Sequence, residues 1–505
     1  MNVIPKPTQL IEKSGVFEIT PDTRILFSAG NKEARRISEM LARQINTASG
    51  YNLTVNPIAI SEAVVDAIFL TTGGSPATLG PEGYQLIVED HSVTLRAPTP
   101  AGLFYGVQTI RQLLPPEIEN ESPVLGNFRW NIPCVQMLDQ PRFSWRGMLL
   151  DCCRHFMTKD FVKRYLDLLA LYKMNRFHWH LTEDQGWRIE IMKYPELIET
   201  SAWRKEADGT IYGGYYTQQD IREVVQYAAE RFITVIPEIE LPGHSLAALA
   251  AFPQISCTGG PFEVMSDWGI FKEVYCAGNE ATFQFLENVL TEVIELFPAP
   301  YLHIGGDECP KERWQNCPKC QARIKAEGLK DEFELQSYFI KRIEKFLNTR
   351  NRQIIGWDEI LEGGLAPGAT VQAWRNVEGA IAAAKSGHPA IVSPVTHAYF
   401  DYPIEKTNLE KTYEFHPVPA GLTAAEEKYI LGGECTMWTE RAPQETIDSK
   451  MFPRILGICE ALWTGPKDKN FEQFRNRVGK HYPRLDKLGV QYGPEALFEE
   501  NSNIV

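Results

Sequence analysis

From residue 143 onward, the chain alternates a short apolar strand candidate with a helical segment, and this repetition narrows the folds open to it. The strand candidates lie at 145–151, 176–181, 234–239, 301–305, 353–357, 370–374, 390–394 and 429–433. Apolar residues at helical spacing fall between most of them, at 159–172, 218–231, 282–297, 334–347 and 377–386, with 451–463 after the last strand. Eight strand–helix units are the count of a (β/α)8 TIM barrel. A doubly wound open sheet alternates too, but it carries its ligand at one switch point behind a Gly-rich phosphate turn. Here polar residues follow strand after strand.

Residues 1 to about 135 have a different texture. Strand-like runs at 65–70, 84–88 and 92–95 mix with helical stretches at 32–47 and 100–114, which reads as a smaller N-terminal α/β domain. A Pro-rich stretch (Pro115, Pro116, Pro123, Pro133, Pro141) follows and has the breaker chemistry of a linker. The expected organisation is therefore an N-terminal domain over 1–138 and a barrel with a short C-terminal extension over 139–505, with the boundary inside 135–142. The 65 acidic against 51 basic side chains leave a net charge of −14. No basic field collects phosphates, so nucleic acid and anionic membrane surfaces are poor partners. No run reaches the ~18 to 20 apolar residues of a membrane span, and MNVIPKPTQL at the start is not an apolar signal region. Two compartments fit: inside the cell, or periplasmic or secreted if an export signal has been removed. The oligomeric state is left open.

The residues after the strands carry the chemistry. Asp151, Arg154 and His155 follow the first; His178, His180, Glu183 and Asp184 the second; Glu238, Glu240 and His244 the third; Asp307 and Glu308 the fourth. Trp357, Asp358 and Glu359 follow the fifth, Trp374 the sixth, His397, Tyr399 and Asp401 the seventh, and Glu434, Trp438 and Glu440 the eighth. Barrel enzymes place their chemistry at these strand ends. A mouth of carboxylates and indoles suits a sugar, whose hydroxyls bond to carboxylates and whose C–H faces stack on rings. In HIGGDE (303–308), two glycines let the backbone turn sharply before two consecutive carboxylates, although an Asp after a strand is also a common helix cap. Ten cysteines are too few for a disulfide scaffold. Cys309 followed by Cys317-Pro-Lys-Cys320 could hold zinc or form a redox pair if another ligand came from elsewhere, but a loop-closing disulfide or plain packing is the favoured reading.

Taken in order, RGMLLDCCRHF (146–156), HWHLTEDQGWR (178–188), PEIELPGH (237–244), HIGGDE, GWDE (356–359), QAW (372–374), AYFD (398–401) and GGECTMWTE (432–440) resemble the family 20 glycoside hydrolases, which include the β-N-acetylhexosaminidases. The resemblance covers nearly the whole chain. It implies removal of terminal β-linked GlcNAc or GalNAc with retention, without metal or organic cofactor. The substrate's own 2-acetamido oxygen would be the nucleophile, an exception to the usual two-carboxylate scheme. Glu308 would be the acid and base, Asp307 would hold the acetamido N–H, and Tyr399 would orient the acetamido oxygen. The resemblance also gives Arg154, Asp401 and Glu440 the ring hydroxyls, makes Trp357, Trp374 and Trp438 the walls, and sets a relay through His244 to Glu183 or Asp184. Arg146 is expected to support its strand, and Trp179, Trp187 and Trp314 to be structural.

Two other readings compete. One is a metal-dependent barrel hydrolase using His178 and His180 as ligands and Asp358 as base, which a chelator would inactivate. The other is a sugar-binding protein that has lost turnover. The bland reading of His178 and His180, two alternate residues on a strand, is buried hydrogen bonding.

Overall fold

The computed structural model describes residues 1–59, 64–465 and 469–495. All eight expected strands close into one parallel barrel: β1 (Trp145–Asp151), β2 (Arg176–His180), β3 (Thr234–Leu241), β4 (Tyr301–Gly305), β5 (Gln353–Trp357), β6 (Thr370–Ala373), β7 (Ala390–Val392) and β8 (Ile430–Met437). β8 returns to β1 in register from Gly432↔Trp145 to Met437↔Leu150. It runs past the expected end at Gly433. Glu434 interrupts the apolar run there, yet it is buried inside the barrel and accepts hydrogen bonds from the Trp145 and Gln372 side chains, both at 2.9 Å.

The outer helices follow from capping and from one apolar stripe each. Lys159–Leu171 starts on the Thr158 side chain and buries Val162, Tyr165, Leu166 and Leu169. Gln218–Ala229 starts with a capping box between Thr217 and Asp220. Glu332–Asn348 starts on Asp331, whose carboxylate accepts from two backbone N–H groups.

The N-terminal part is a seven-stranded mixed sheet. Its order is Gln9–Ile19, Trp130–Asp139, Tyr84–Glu89, Ser92–Arg96, Ala67–Thr71, Arg24–Ser28, Val55–Ile58, with helices Lys32–Ser49 and Pro100–Leu113 packed on it. The stretch read as a linker is corrected here: its second half, Trp130–Asp139, is an interior strand of this sheet. Pro133 lies opposite Val16, beside an irregularity between Glu12 and Val16 that accommodates a residue without an N–H.

Asp139, at the end of that strand, ties the sheet to the barrel. Its carboxylate receives Lys173 Nζ at 3.1 Å, the Tyr84 hydroxyl at 2.6 Å and Trp463 Nε1 at 2.9 Å. The C-terminal helix Phe471–Lys487 closes the same seam, with Arg477 on Glu460 and Arg484 on Glu119. Of the expected C-terminal extension, residues 496–505 lie outside the described residues.

Lys173 and Asp139 are both fully buried, so removing one partner leaves a charge with neither water nor counter-ion. Asp139→Ala is expected to cost about 3–5 kcal/mol. Glu39→Ala, which breaks the exposed helical pair with Arg35, costs no more than about 0.5 kcal/mol. Urea midpoints of the two variants check this, and equal small losses would refute it.

Candidate active site

The twelve site residues expected from the sequence converge. Eleven of them line one cavity of about 200 Å³ at the C-terminal ends of the strands: Arg154, Glu183, His244, Asp307, Glu308, Trp357, Trp374, Tyr399, Asp401, Trp438 and Glu440. The twelfth, Asp184, stands behind His244. Tyr402 joins the lining without having been expected. Its only sequence signal is that it directly follows Asp401, and the loop after β7 decides that it faces inward.

Asp307 and Glu308 emerge from a tight turn after β4. Gly305 has φ +65°, and a Cβ there would lie 1.7 Å from Glu240 Oε2, so glycine is required on both counts. Glu308 itself adopts φ 40°, a left-handed conformation that costs energy for a non-glycine residue. The two side chains differ in exposure: that of Asp307 is 14% exposed and that of Glu308 33%. Asp307 therefore sits at the floor and Glu308 toward the mouth. Asp307 Oδ1 is buried with no protein hydrogen-bond partner. The Asp307 carboxyl is pushed up to about 7, by burial first and then by the negative charges of Glu238, Glu308 and Glu183, against the lowering effect of His244.

His244 links these carboxylates to a second pair. Its Nε2 is 3.6 Å from both Asp307 Oδ2 and Glu308 Oε2. Its Nδ1 meets Glu183 Oε1 at 2.8 Å and Asp184 Oδ2 at 3.3 Å, so both acidic residues of the HWHLTED segment touch it, Glu183 more closely. Burial works against a charged ring, but Glu183, Asp184 and Glu308 overcome it and hold His244 well above the usual imidazole range. Glu183 also binds Arg154 Nη2 at 3.0 Å. That fixes a guanidinium which also meets Asp151 at 3.3 Å, lies 4.0 Å from Glu440 and stacks over Trp438 at 5.1 Å.

The walls are indoles held by their N–H groups. Trp357 Nε1 donates to Glu238 at 2.9 Å and Trp374 Nε1 to Glu359 at 3.0 Å. Trp374 stacks on Tyr399, with centroids 6.1 Å apart and 27° between the planes. Asp401 is pushed up to about 7 by burial and by Glu440, and its Oδ1 also lacks a protein partner. Asp358 holds Arg375 at 2.6 Å and lies outside the cavity lining. Arg146 bonds Glu82 and two backbone carbonyls, and Trp179, Trp187 and Trp314 are buried.

His178 and His180 are fully buried below the cavity, where His178 meets Glu434 and Glu238, and His180 meets Glu238 and Glu183. His178 groups with Glu238 and His303, and His180 with Glu183 and Glu240, whereas Asp358 pairs with Arg375. A soft donor set gathers elsewhere. Cys257, Cys276, Cys317 and Cys320 bring their sulfurs within 4.8 Å of one another, and Cys309 is not one of them.

The family model described as glycosyl hydrolase family 20, catalytic domain, matches residues 143–466, and that described as domain 2 of the same family matches residues 1–140. A beta-hexosaminidase of Porphyromonas gingivalis is 44% identical over 97% of this chain, and the chain spans 64% of that protein's length. The β-N-acetylhexosaminidase of Streptomyces coelicolor A3(2) superposes with a TM-score of 0.86 at 31% identity, covering 99% of each chain. A mutant Streptomyces plicatus beta-hexosaminidase in complex with the product GlcNAc also has a TM-score of 0.86, at 32% identity over 99% of this chain and 98% of its own.

Two outcomes follow from this geometry. Gly305→Ala drives a methyl into Glu240 beneath the Asp307–Glu308 turn. It is expected to lower turnover about 10²-fold with circular dichroism unchanged, as displacements on the order of 1 Å do in a positioned site. Asp307→Asn is expected to stabilise. The native carboxyl at about 7 binds its proton more tightly than an unfolded one near 3.8, so stability falls as pH rises through that window, and the cost is complete above it. The variant should melt above wild type at about pH 8, and the gain should vanish below about pH 4. A gain independent of pH would refute this.

Proposed function

Since the chain belongs to glycosyl hydrolase family 20, we propose that it is an exo-acting, retaining β-N-acetylhexosaminidase working by substrate-assisted catalysis. The substrate is a glycan or oligosaccharide ending in β-linked GlcNAc or GalNAc. The observation that carries this reading is the placement of Asp307 and Glu308 on one turn beneath a single histidine nitrogen. Conventional retaining enzymes hold acid and nucleophile on opposite sides of the bond, ~5 to 5.5 Å apart. Two adjacent carboxylates on one turn fit that layout poorly, and membership of family 20 supports the substrate's own acetamido group as the nucleophile.

In the first step, the 2-acetamido oxygen attacks the anomeric carbon while Glu308 gives its proton to the glycosidic oxygen, whose bond to that carbon breaks. The products are the departing alcohol and an oxazolinium ring. Asp307, through the Oδ1 that has no protein partner, accepts the acetamido N–H and balances the growing positive charge. The Tyr399 hydroxyl donates to the acetamido oxygen and sets its direction of attack, which removes rotational freedom before the barrier. In the second step, Glu308 takes a proton from water, the oxygen adds to the anomeric carbon on the face the alcohol left, and the ring opens with net retention. Arg154, Asp401 and Glu440 bind the hydroxyls at the closed end, and Trp357, Trp374 and Trp438 enclose the ring. The GlcNAc product in the Streptomyces plicatus neighbour supports this ligand class.

The test is hydrolysis of aryl β-N-acetylglucosaminides against the matching aryl β-glucoside. Only the acetamido sugars are expected to be cleaved. Fluorinating the acetyl group should slow cleavage stepwise, because the carbonyl becomes a weaker nucleophile. Glu308→Gln should reduce kcat by about 10² to 10⁴ on an unactivated leaving group. Equal cleavage of the glucoside, or a rate indifferent to fluorination, would overturn the reading.

A further inference from the structure

Three separate segments of the chain bring four cysteines to one point away from the sugar pocket. Cys257 follows the short helices after β3, Cys276 ends the long loop that continues from them, and Cys317 and Cys320 flank the start of helix Pro318–Glu327 in the loop after β4. Cys276, Cys317 and Cys320 are buried, and Cys257 is partly buried.

The distances between the sulfurs are specific. Cys257 Sγ is 3.8 Å from Cys320 Sγ, and Cys276 Sγ is 3.7 Å from both Cys317 Sγ and Cys320 Sγ. None of the ten cysteines is in a disulfide, which would need sulfurs about 2.05 Å apart. A tetrahedron with zinc–sulfur bonds of about 2.3 Å has edges of about 3.8 Å, and the measured separations match that edge.

The backbone around the sulfurs is shaped to the same end. The N–H of Gly278 donates to Cys276 Sγ. A Cβ at Gly278 would fall 2.1 Å from the Lys319 carbonyl carbon and 2.4 Å from Cys320 N, so only glycine lets the loop pass this close to the CxxC turn. Cys317 occupies the N-cap position of the ten-residue helix that begins at Pro318, and Cys320 lies in its first turn.

We propose that Cys257, Cys276, Cys317 and Cys320 form a closed tetrathiolate site that binds one zinc ion and staples the loop after β3 to the loop after β4. This departs from the expectation that the chain holds no metal, and from the favoured sequence reading of the CxxC as packing or a disulfide. Four protein ligands leave no open position for water, so the ion is structural and takes no part in turnover. The stapled loop supports the sugar site from behind. Met265 N donates to Asp184 O at 3.2 Å, and Asp267 O accepts from Gln185 Nε2 at 2.8 Å. Asp184 touches His244, and Gln185 accepts from Arg154 at 3.2 Å. The inference stands independently of the proposed activity.

Metal analysis of the purified full chain tests it. About one zinc per chain is expected, released by an organomercurial in step with the loss of four thiols, as followed with a chromogenic chelator on the wild-type protein. Cobalt in its place should give the intense sulfur-to-metal charge-transfer bands of tetrahedral thiolate coordination. Zinc should fall to near zero in Cys257→Ser and in Cys276→Ser, and remain near one in Cys435→Ser, which removes a buried thiol elsewhere. Peptide mapping without reductant should find all four thiols unpaired. Disulfides among the four, four free thiols with no metal, iron in place of zinc, or zinc retained in both site variants would each overturn the proposal.

Discussion

Glu238 is a carboxylate with no access to water, and the barrel is organised around satisfying it. Oε1 accepts from Trp357 Nε1 at 2.9 Å and lies 2.7 Å from His303 Nδ1, while Oε2 faces His178 Nε2 at 3.1 Å and His180 Nδ1. Those partners come from β2, β4 and β5, so one buried group ties four strands together. Withdrawing such a charge from water costs several kcal/mol, and only complete pairing offsets it. Glu434 does the same on the other side of the barrel, joining β8 to β1, β2 and β6 through Trp145, His178 and Gln372. Everything above this layer inherits its positions from it. Trp357 lines the cavity because its indole N–H is held below, and His180 turns Glu183 toward Arg154 and His244.

The pocket above that layer is kept in an unfavourable state. Asp307 and Asp401 are both pushed up to about 7 and Glu359 to about 8, in each case by burial first and then by neighbouring carboxylates. Glu308 and His244 have left-handed backbone conformations, with φ of 40° and 47°. Crowded charge and strained turns lower stability, and the surrounding barrel and its seam with the N-terminal sheet must hold them in place. In return, a ligand that brings an N–H, hydroxyls or developing positive charge finds acceptors already oriented and without protein partners. The cysteine cluster adds a second restraint, since it fixes the outer loop that backs Asp184 and Gln185.

Much of this was legible in the chain itself. Alternating apolar strands and amphipathic helical segments determined the barrel, because the strand signal is local and repeats eight times, with six helical segments between or after the strands. The motifs after the strands identified the cavity residues, because only strand ends reach a barrel mouth. For His178 and His180 the sequence offered buried hydrogen bonding beside a metal pair, and in the structure both are buried against carboxylates. The tertiary structure decided what depends on distant partners. Trp130–Asp139 became a strand despite Pro133, because Gln9–Ile19 bends to accept it. β8 extended through Glu434, because histidine, glutamine and tryptophan from other strands neutralise it. Both Glu183 and Asp184 reach His244, because the loop after β3 folds back over them. The role of the CxxC depended on Cys257 and Cys276, which lie 63 and 44 residues from Cys320 along the chain. Local pattern fixes which segments form, since it acts through neighbours in sequence, whereas a shared charge or a shared ion is set by groups that meet only after the chain has closed.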